Sequence, residues 1–306
     1  MRGEFRIYIV LALLNFSQVN SFSQENSEPE IIFTFFNNLY SFQFQEAKDN
    51  LAIINSINIS PDLLDICTAN YHWWLIATQE EHENSKVEML SSLDRIIIRY
   101  KDTKDIDLNE DALFALIHAY AYKTRLHIHE GNYLKGAGNL NLTVKFLELI
   151  LPRAEENLKF MLLAGLYHYV AGTFLDTYPV FHPLFILAPK ADVDKGLKLL
   201  LECSESDHPM IRTEALYFLM IAQNQLGENP VMADSYAKQL LKEYPGNKYY
   251  RSYRITLLAD AGSLIEARKE YYRLCSLEPG DQLSPAQHNY LIEKTNKHLR
   301  KKRIKF

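Results

Sequence analysis

Residues 262–274 read GSLIEARKEYYRL, the clearest helical pattern in the chain. Its glycine and serine make a turn, and its small and apolar residues then recur at the spacing of one helix face. Ala267 is small enough to let a second helix approach closely, and Tyr271 and Leu274 share its face. Pro279 follows and prevents the helix from continuing. The stretch therefore predicts the second helix of a helical hairpin.

The same pattern occurs one unit earlier in the chain. Three residues return 34 positions later, Ala233 as Ala267, Leu240 as Leu274 and Pro245 as Pro279. A period of 34 residues is that of a tetratricopeptide unit. The chain resembles the tetratricopeptide family, most clearly in repeats 214–247 and 248–281. The resemblance implies an all-α protein of tetratricopeptide-like helical hairpins, a right-handed α-solenoid or superhelix that binds other proteins.

Helical periodicity continues through the rest of the chain and predicts about six hairpins in one repeat domain, residues 24–293. One predicted helix, Ala154–Ala171, is apolar around much of its circumference, as central buried helices are. Two prolines predict an irregular break at about 176–190. Another helix is predicted at Thr213–Leu226.

A weaker resemblance covers the middle and C-terminal parts. It depends on the order of four short segments, Gly165–Tyr167, Asp192–Leu197, Arg212–Ala215 and Tyr244–Asn247. This order is similar to that of the inclusion-body-clearance family of tetratricopeptide proteins. The resemblance implies only an architecture, two repeat blocks around a central helical unit, because an export signal departs from that family's pattern.

Residues 1–23 have the features of a secretory signal peptide. Arg2 and Arg6 precede an apolar run, Ile7–Phe16, and Ser21-Phe22-Ser23 gives a small-residue cleavage pattern before Gln24. The run is shorter than the ~20 residues that span a bilayer. An uncleaved helix at the membrane interface is the alternative to a cleaved signal peptide. We therefore expect an exported protein, periplasmic or associated with the cell envelope if the source is a Gram-negative bacterium. No later window is apolar enough to predict an integral membrane protein.

Charge is distributed unevenly. The chain has a net charge of −5; the predicted signal contributes +1 and the C-terminal residues Lys294–Phe306 contribute +7, which leaves −13 for residues 24–293. The basic tail, 294–306, could fold onto this acidic surface or make a peripheral contact with anionic lipid. An acidic body argues against a nucleic-acid partner.

Motifs for chemistry are missing from the sequence. There is no serine-nucleophile motif, P-loop or dinucleotide fingerprint, and His127 and His129 would point to different sides of a helix. Cys67, Cys203 and Cys275 form no CxxC pair; we expect buried thiols, with one disulfide as the alternative. We therefore expect no enzyme, and no catalytic, cofactor or metal site.

Function is predicted from the repeats: a non-enzymatic scaffold that binds a protein or peptide partner through its concave surface. Tyr249, Tyr253 and Arg254 are the predicted partner contacts, because tyrosine and arginine are enriched at binding hot spots. The alternative is an envelope-associated hydrolase or small-ligand receptor. Its pocket would lie near the central break and include Tyr167, His168, Tyr178 and His182.

Overall fold

The computed structural model describes residues 30–78, 83–105, 108–173, 188–225, 229–277 and 283–304. These residues form thirteen α-helices and no strand. The predicted all-α class is therefore confirmed. The predicted signal peptide, Pro279 and most of the predicted central break lie outside the described residues.

Seven α-helices make up the N-terminal half: α1 (Glu30–Tyr40), α2 (Phe44–Ser56), α3 (Pro61–Thr78), α4 (Glu83–Tyr100), α5 (Glu110–His129), α6 (Tyr133–Ile150) and α7 (Leu158–Leu166). A 3₁₀ turn, Leu151–Arg153, lies between α6 and α7, and a π-helical turn, Tyr167–Ala171, extends α7. Six more follow: α8 (Val193–Ser204), α9 (Pro209–Gln225), α10 (Pro230–Glu243), α11 (Lys248–Asp260), α12 (Leu264–Ser276) and α13 (Pro285–Lys301). Consecutive helices pack as six pairs, from α1 with α2 to α11 with α12, and α13 packs on α11.

Two predicted helix starts are wrong, and side chains explain both. The helix predicted from Ala154 begins at Leu158, because the Asn157 side chain accepts a hydrogen bond from the backbone N–H of Phe160 at 2.9 Å and caps a new helix. The helix predicted from Thr213 begins earlier, at Pro209, since proline is tolerated in the first helical turn.

Repeat positions play the packing roles that the sequence predicts. Ala233 and Ala267 are fully buried, as are the leucines seven residues after each of them. Gly262 has a φ of +76° in the turn between α11 and α12, a conformation that favours glycine. The small slot, the apolar face and the turn of the quoted stretch are therefore all present.

The two halves of the chain close onto one another. The hydroxyl of Tyr40 at the end of α1 donates to Glu214 Oε1 of α9 at 3.1 Å, and the Asn247 side chain donates to the Tyr40 carbonyl at 2.8 Å. At the other end of this contact, Gln287 of α13 donates to Thr78 Oγ1 of α3 at 2.9 Å. Arg125 of α5 also lies 5.9 Å from the Tyr217 ring centroid of α9. Helices α1, α3 and α5 thus face α9, α11 and α13, and we call the region between these two sets the inner side of the protein.

No helix in the described ranges is long and apolar enough to cross a membrane. The basic C-terminal segment begins within α13. Lys302 Nζ lies 3.0 Å from Asp260 Oδ1, and His298 Nε2 lies 2.9 Å from the same oxygen. Part of the basic segment therefore folds onto an acidic residue of the protein's own surface.

Candidate functional site

Two tyrosines of α11 face the inner side. Tyr249 and Tyr253 are one helical turn apart and therefore share a face, and both are half-buried. The Tyr249 hydroxyl lies 3.4 Å from that of Tyr217 on α9, and Asn224 donates to the Tyr253 hydroxyl at 3.4 Å. The Trp74 ring of α3 meets the Tyr249 ring edge-on at 5.5 Å between centroids.

Two cations flank these rings. The Arg125 guanidinium of α5 is buried, with its carbon 3.9 Å from the Trp73 ring centroid and 5.9 Å from that of Tyr217. Lys294 of α13 is exposed, and its Nζ lies 5.1 Å from the Tyr249 ring centroid. We call Arg125, Tyr217, Tyr249, Tyr253 and Lys294 the inner cluster.

Two cations act on the Tyr249 hydroxyl in the inner cluster. Burial raises the pKa of this hydroxyl, but the Lys294 ammonium, the hydrogen bond with Tyr217 and the Arg125 guanidinium together lower it below its ordinary value. Burial also opposes the charge on Arg125, yet the surrounding tyrosines and Glu214 raise its pKa. Arg125 therefore keeps its charge in the interior.

Glu214 lies next to the inner cluster without an ion pair to Arg125. Its Oε1 accepts from Tyr40, and its Oε2 has no hydrogen-bond partner among the residues that the structure describes. Burial raises the pKa of Glu214 to about 7, although Arg125 and the Tyr40 hydrogen bond oppose this shift. The indole N–H groups of Trp73 and Trp74 are also buried without a partner in the same described ranges. Both indoles border the inner cluster, because the Trp73 ring stacks on Arg125 and the Trp74 ring meets that of Tyr249.

Comparisons with protein-family models, curated proteins and solved structures found no match. The inner cluster is therefore interpreted from its own chemistry. Aromatic rings beside two cations can stack on an apolar group and hold a carboxylate next to it.

Arg254 does not join the two tyrosines. A residue adjacent to Tyr253 is turned about 100° around the helix, and the Arg254 side chain lies among carboxylates instead. Its Nε lies 2.6 Å from Asp234 Oδ1, and its Nη1 lies 3.0 Å from Glu270 Oε1. The structure thus brings Tyr249 and Tyr253 together and places Arg254 in a separate ionic cluster.

The pocket of the alternative function is only partly described. The Tyr167 hydroxyl donates to the Pro189 carbonyl, and the buried His168 ring accepts from the backbone N–H of Asp192 at 3.3 Å. Burial, followed by the Lys195 ammonium, lowers the pKa of His168. Tyr178 and His182 lie outside the described residues. Within those residues no group of three His, Cys, Asp or Glu side chains could hold a metal ion.

Three members of the inner cluster were missed by the sequence reasoning: Arg125, Tyr217 and Lys294. For Arg125 the sequence did contain a signal. Arg125 is a charged residue in the long, largely apolar helix α5, and burying a charge is costly without a reason. Glu214, the one carboxylate between Pro209 and Gln225, carries the same signal. Tyr217 and Lys294 depend on contacts between distant helices, which periodicity does not reveal.

Proposed function

We propose that this protein is a non-enzymatic helical scaffold that binds a peptide segment of a partner protein on its inner side. The segment presents a carboxylate to Arg125 and Lys294 and packs an apolar side chain against Tyr249 and Tyr253. The helical pairs form a tetratricopeptide-like superhelix, and the predicted signal peptide directs the protein to the periplasm or cell envelope. The partner is accordingly an envelope protein.

One observation carries the proposal: a buried arginine beside half-buried tyrosines, with no direct ion pair from the nearest carboxylate, Glu214. A buried charge is ordinarily paired, since its desolvation costs several kcal/mol. Stacking on Trp73 offsets only part of that cost, as cation–π contacts contribute about 2 kcal/mol when desolvated. A ligand carboxylate would complete the site.

The inner cluster runs from an exposed side chain to a buried one. Lys294 is exposed, Tyr249 is half-buried below its ammonium, and Arg125 is buried. Positive charge therefore extends from the surface to the interior. An exposed cation at the entrance increases the rate of encounter with an anionic segment, and the buried cation contributes more to affinity.

The test begins by selecting binders to residues 24–306 from a library of short random peptides. Selected peptides should be enriched in a carboxylate next to an apolar residue. Their affinity, measured by fluorescence anisotropy, should fall about tenfold or more in Lys294→Ala and Arg125→Gln, because each variant removes a charge-assisted hydrogen bond. Lys269→Ala, which removes an exposed lysine from α12, is the matched control and should have no effect. Selected peptides that bind both variants as tightly as the wild type would contradict the proposal.

A further inference from the structure

A second cationic site lies on the opposite side of α11, away from the inner cluster. Helices α10 and α12 form the walls of a groove of about 490 Å³, with side chains of α11 at its base. We call it the outer groove; its charged lining consists of Lys238, Lys242, Arg251, Arg254, Glu270 and Arg273. Leu241 and Leu277 add apolar wall. This volume is in the range of small-ligand and peptide-side-chain sites.

Carboxylates neutralise only part of the positive charge in the outer groove. Asp234 lies 2.6 Å from both Lys238 and Arg254, and Glu266 lies 3.3 Å from Arg254. Glu270 is shared by three arginines, those at positions 251, 254 and 273. Five cations thus face three carboxylates, an excess of two positive charges. This excess lies within a domain whose net charge is strongly negative.

The base of the groove shows the same excess. Arg251 is buried, with its Nη1 on Glu270 and its Nη2 donating to the Pro245 carbonyl at 3.0 Å. Its Nε is buried and has no hydrogen-bond partner within the described part of the chain. Burial lowers the pKa of Arg251, and the neighbouring arginines at 273 and 254 add to this effect against the opposing Glu270. The charge of Arg251 is therefore incompletely compensated.

The rim of the groove gives the excess charge a defined spacing. Lys238 and Lys242 are four residues apart on α10, which places them on one face about 6 Å apart along the helix axis. Both are exposed, and Lys242 has no carboxylate within ion-pair distance among the residues described. Arg273 stands on the opposite wall, with more than half of its side chain exposed. In an extended peptide, alternate side chains point the same way and are about 6.6 Å apart.

We propose that the outer groove binds an acidic, extended segment of a partner protein, with carboxylates on alternate residues paired to Lys238 and Lys242. Arg273 contacts the same segment from the other wall. Leu241 and Leu277 supply apolar surface in the groove beside the carboxylate side chains. This site is independent of the inner cluster, because the two lie on different faces of α11.

Three labelled peptides test the proposal by fluorescence anisotropy with the full-length mature protein. They are GEAEAEG, its glutamine counterpart GQAQAQG, and GEEEAAG, which has the same charge in a contiguous run. The alternating peptide should bind at least about tenfold more tightly than either of the others, and its affinity should fall as salt rises from about 50 to about 200 mM. Equal binding of the alternating and glutamine peptides would overturn the proposal, and equal binding of the contiguous peptide would overturn the spacing.

Variants locate the binding. K242A, which breaks no ion pair among the described residues, should weaken the alternating peptide about fivefold, and K238A/K242A about tenfold or more. K269A on α12, outside the groove, should leave the affinity unchanged. If K238A/K242A lowers thermal stability, K242A alone decides the result. Unchanged affinity in K242A would overturn the proposal, and a loss in Lys294→Ala would assign the peptide to the inner cluster instead.

Discussion

Replacing Glu214 with glutamine should remove a pH dependence from the stability of the protein. Glu214 is 3% exposed, and its pKa rises from an ordinary value of 4.5 to about 7 because of burial. Each pKa unit corresponds to about 1.4 kcal/mol, so the shift corresponds to about 3 kcal/mol. The folded state binds this proton more tightly than the unfolded chain does. The contribution is therefore fully present below about pH 4.5 and is lost as the pH rises through about 7.

The assay is urea unfolding followed by circular dichroism at several values between about pH 5 and about pH 8. The free energy of unfolding of the wild type minus that of Glu214→Gln gives the contribution of this one side chain, because the other titrating groups cancel in the difference. As the pH rises from about 5 to about 8, the stability of the wild type relative to the variant should fall by about 2–3 kcal/mol. Glu202→Gln, at an exposed position of α8, is the control and should give a constant difference. A constant difference for Glu214→Gln, or a wild type that gains stability relative to it as the pH rises, would show that folding does not raise the pKa of Glu214.

Three further predictions concern stability and are measured by urea unfolding. Gly196→Ala should destabilise the protein by about 3 kcal/mol or more, since the added Cβ would lie 2.1 Å from a backbone nitrogen of the π-helical turn. Gly138→Ala is the control and should be neutral or stabilising, because no neighbouring atom lies within 4 Å of its added Cβ; equal effects of the two substitutions would contradict the close packing at Gly196. Asn247→Ala should lower the free energy of unfolding by about 2–3 kcal/mol, because it removes a helix cap and a hydrogen bond between the two halves of the chain. Asn229→Ala removes only a helix cap and should lower it by about 1 kcal/mol; a smaller loss at Asn247 than at Asn229 would contradict the packing of the two halves. Glu270→Ala should lower the free energy of unfolding by about 3–5 kcal/mol, because it leaves the buried Arg251 and Arg254 without their shared carboxylate. An unchanged stability would show that solvent compensates the charges of these arginines.

Local features of the fold could be predicted from the sequence because they depend on neighbouring residues. Ala233 and Ala267 occupy buried slots, and Gly262 makes its turn, since helix periodicity and glycine conformation are local properties. The helix predicted from Ala154 started too early, because apolar content alone does not reveal that Asn157 caps a new helix. Capping competes with continuation and is decided by backbone geometry.

The candidate site could be predicted only in part. Tyr249 and Tyr253 share the inner side because four residues make one turn of a helix, whereas Arg254 turns toward the outer groove for the same reason. The closure of the two halves depends on contacts such as Tyr40 with Glu214, which are 174 residues apart. No periodic pattern contains such information, so the meeting of Arg125, Tyr217 and Lys294 with the two tyrosines appeared only with the structure.

Photocrosslinking can show whether a peptide binds on the inner side. A selected carboxylate-bearing peptide would be bound to two variants that carry benzoylphenylalanine, one at Tyr253 on the inner side and one at Tyr272, which is half-exposed on α12. Mass spectrometry would then locate the crosslinks. We expect a crosslink from position 253 that excess unlabelled peptide abolishes, and none from position 272. Retained binding with a crosslink from position 272 alone would contradict it.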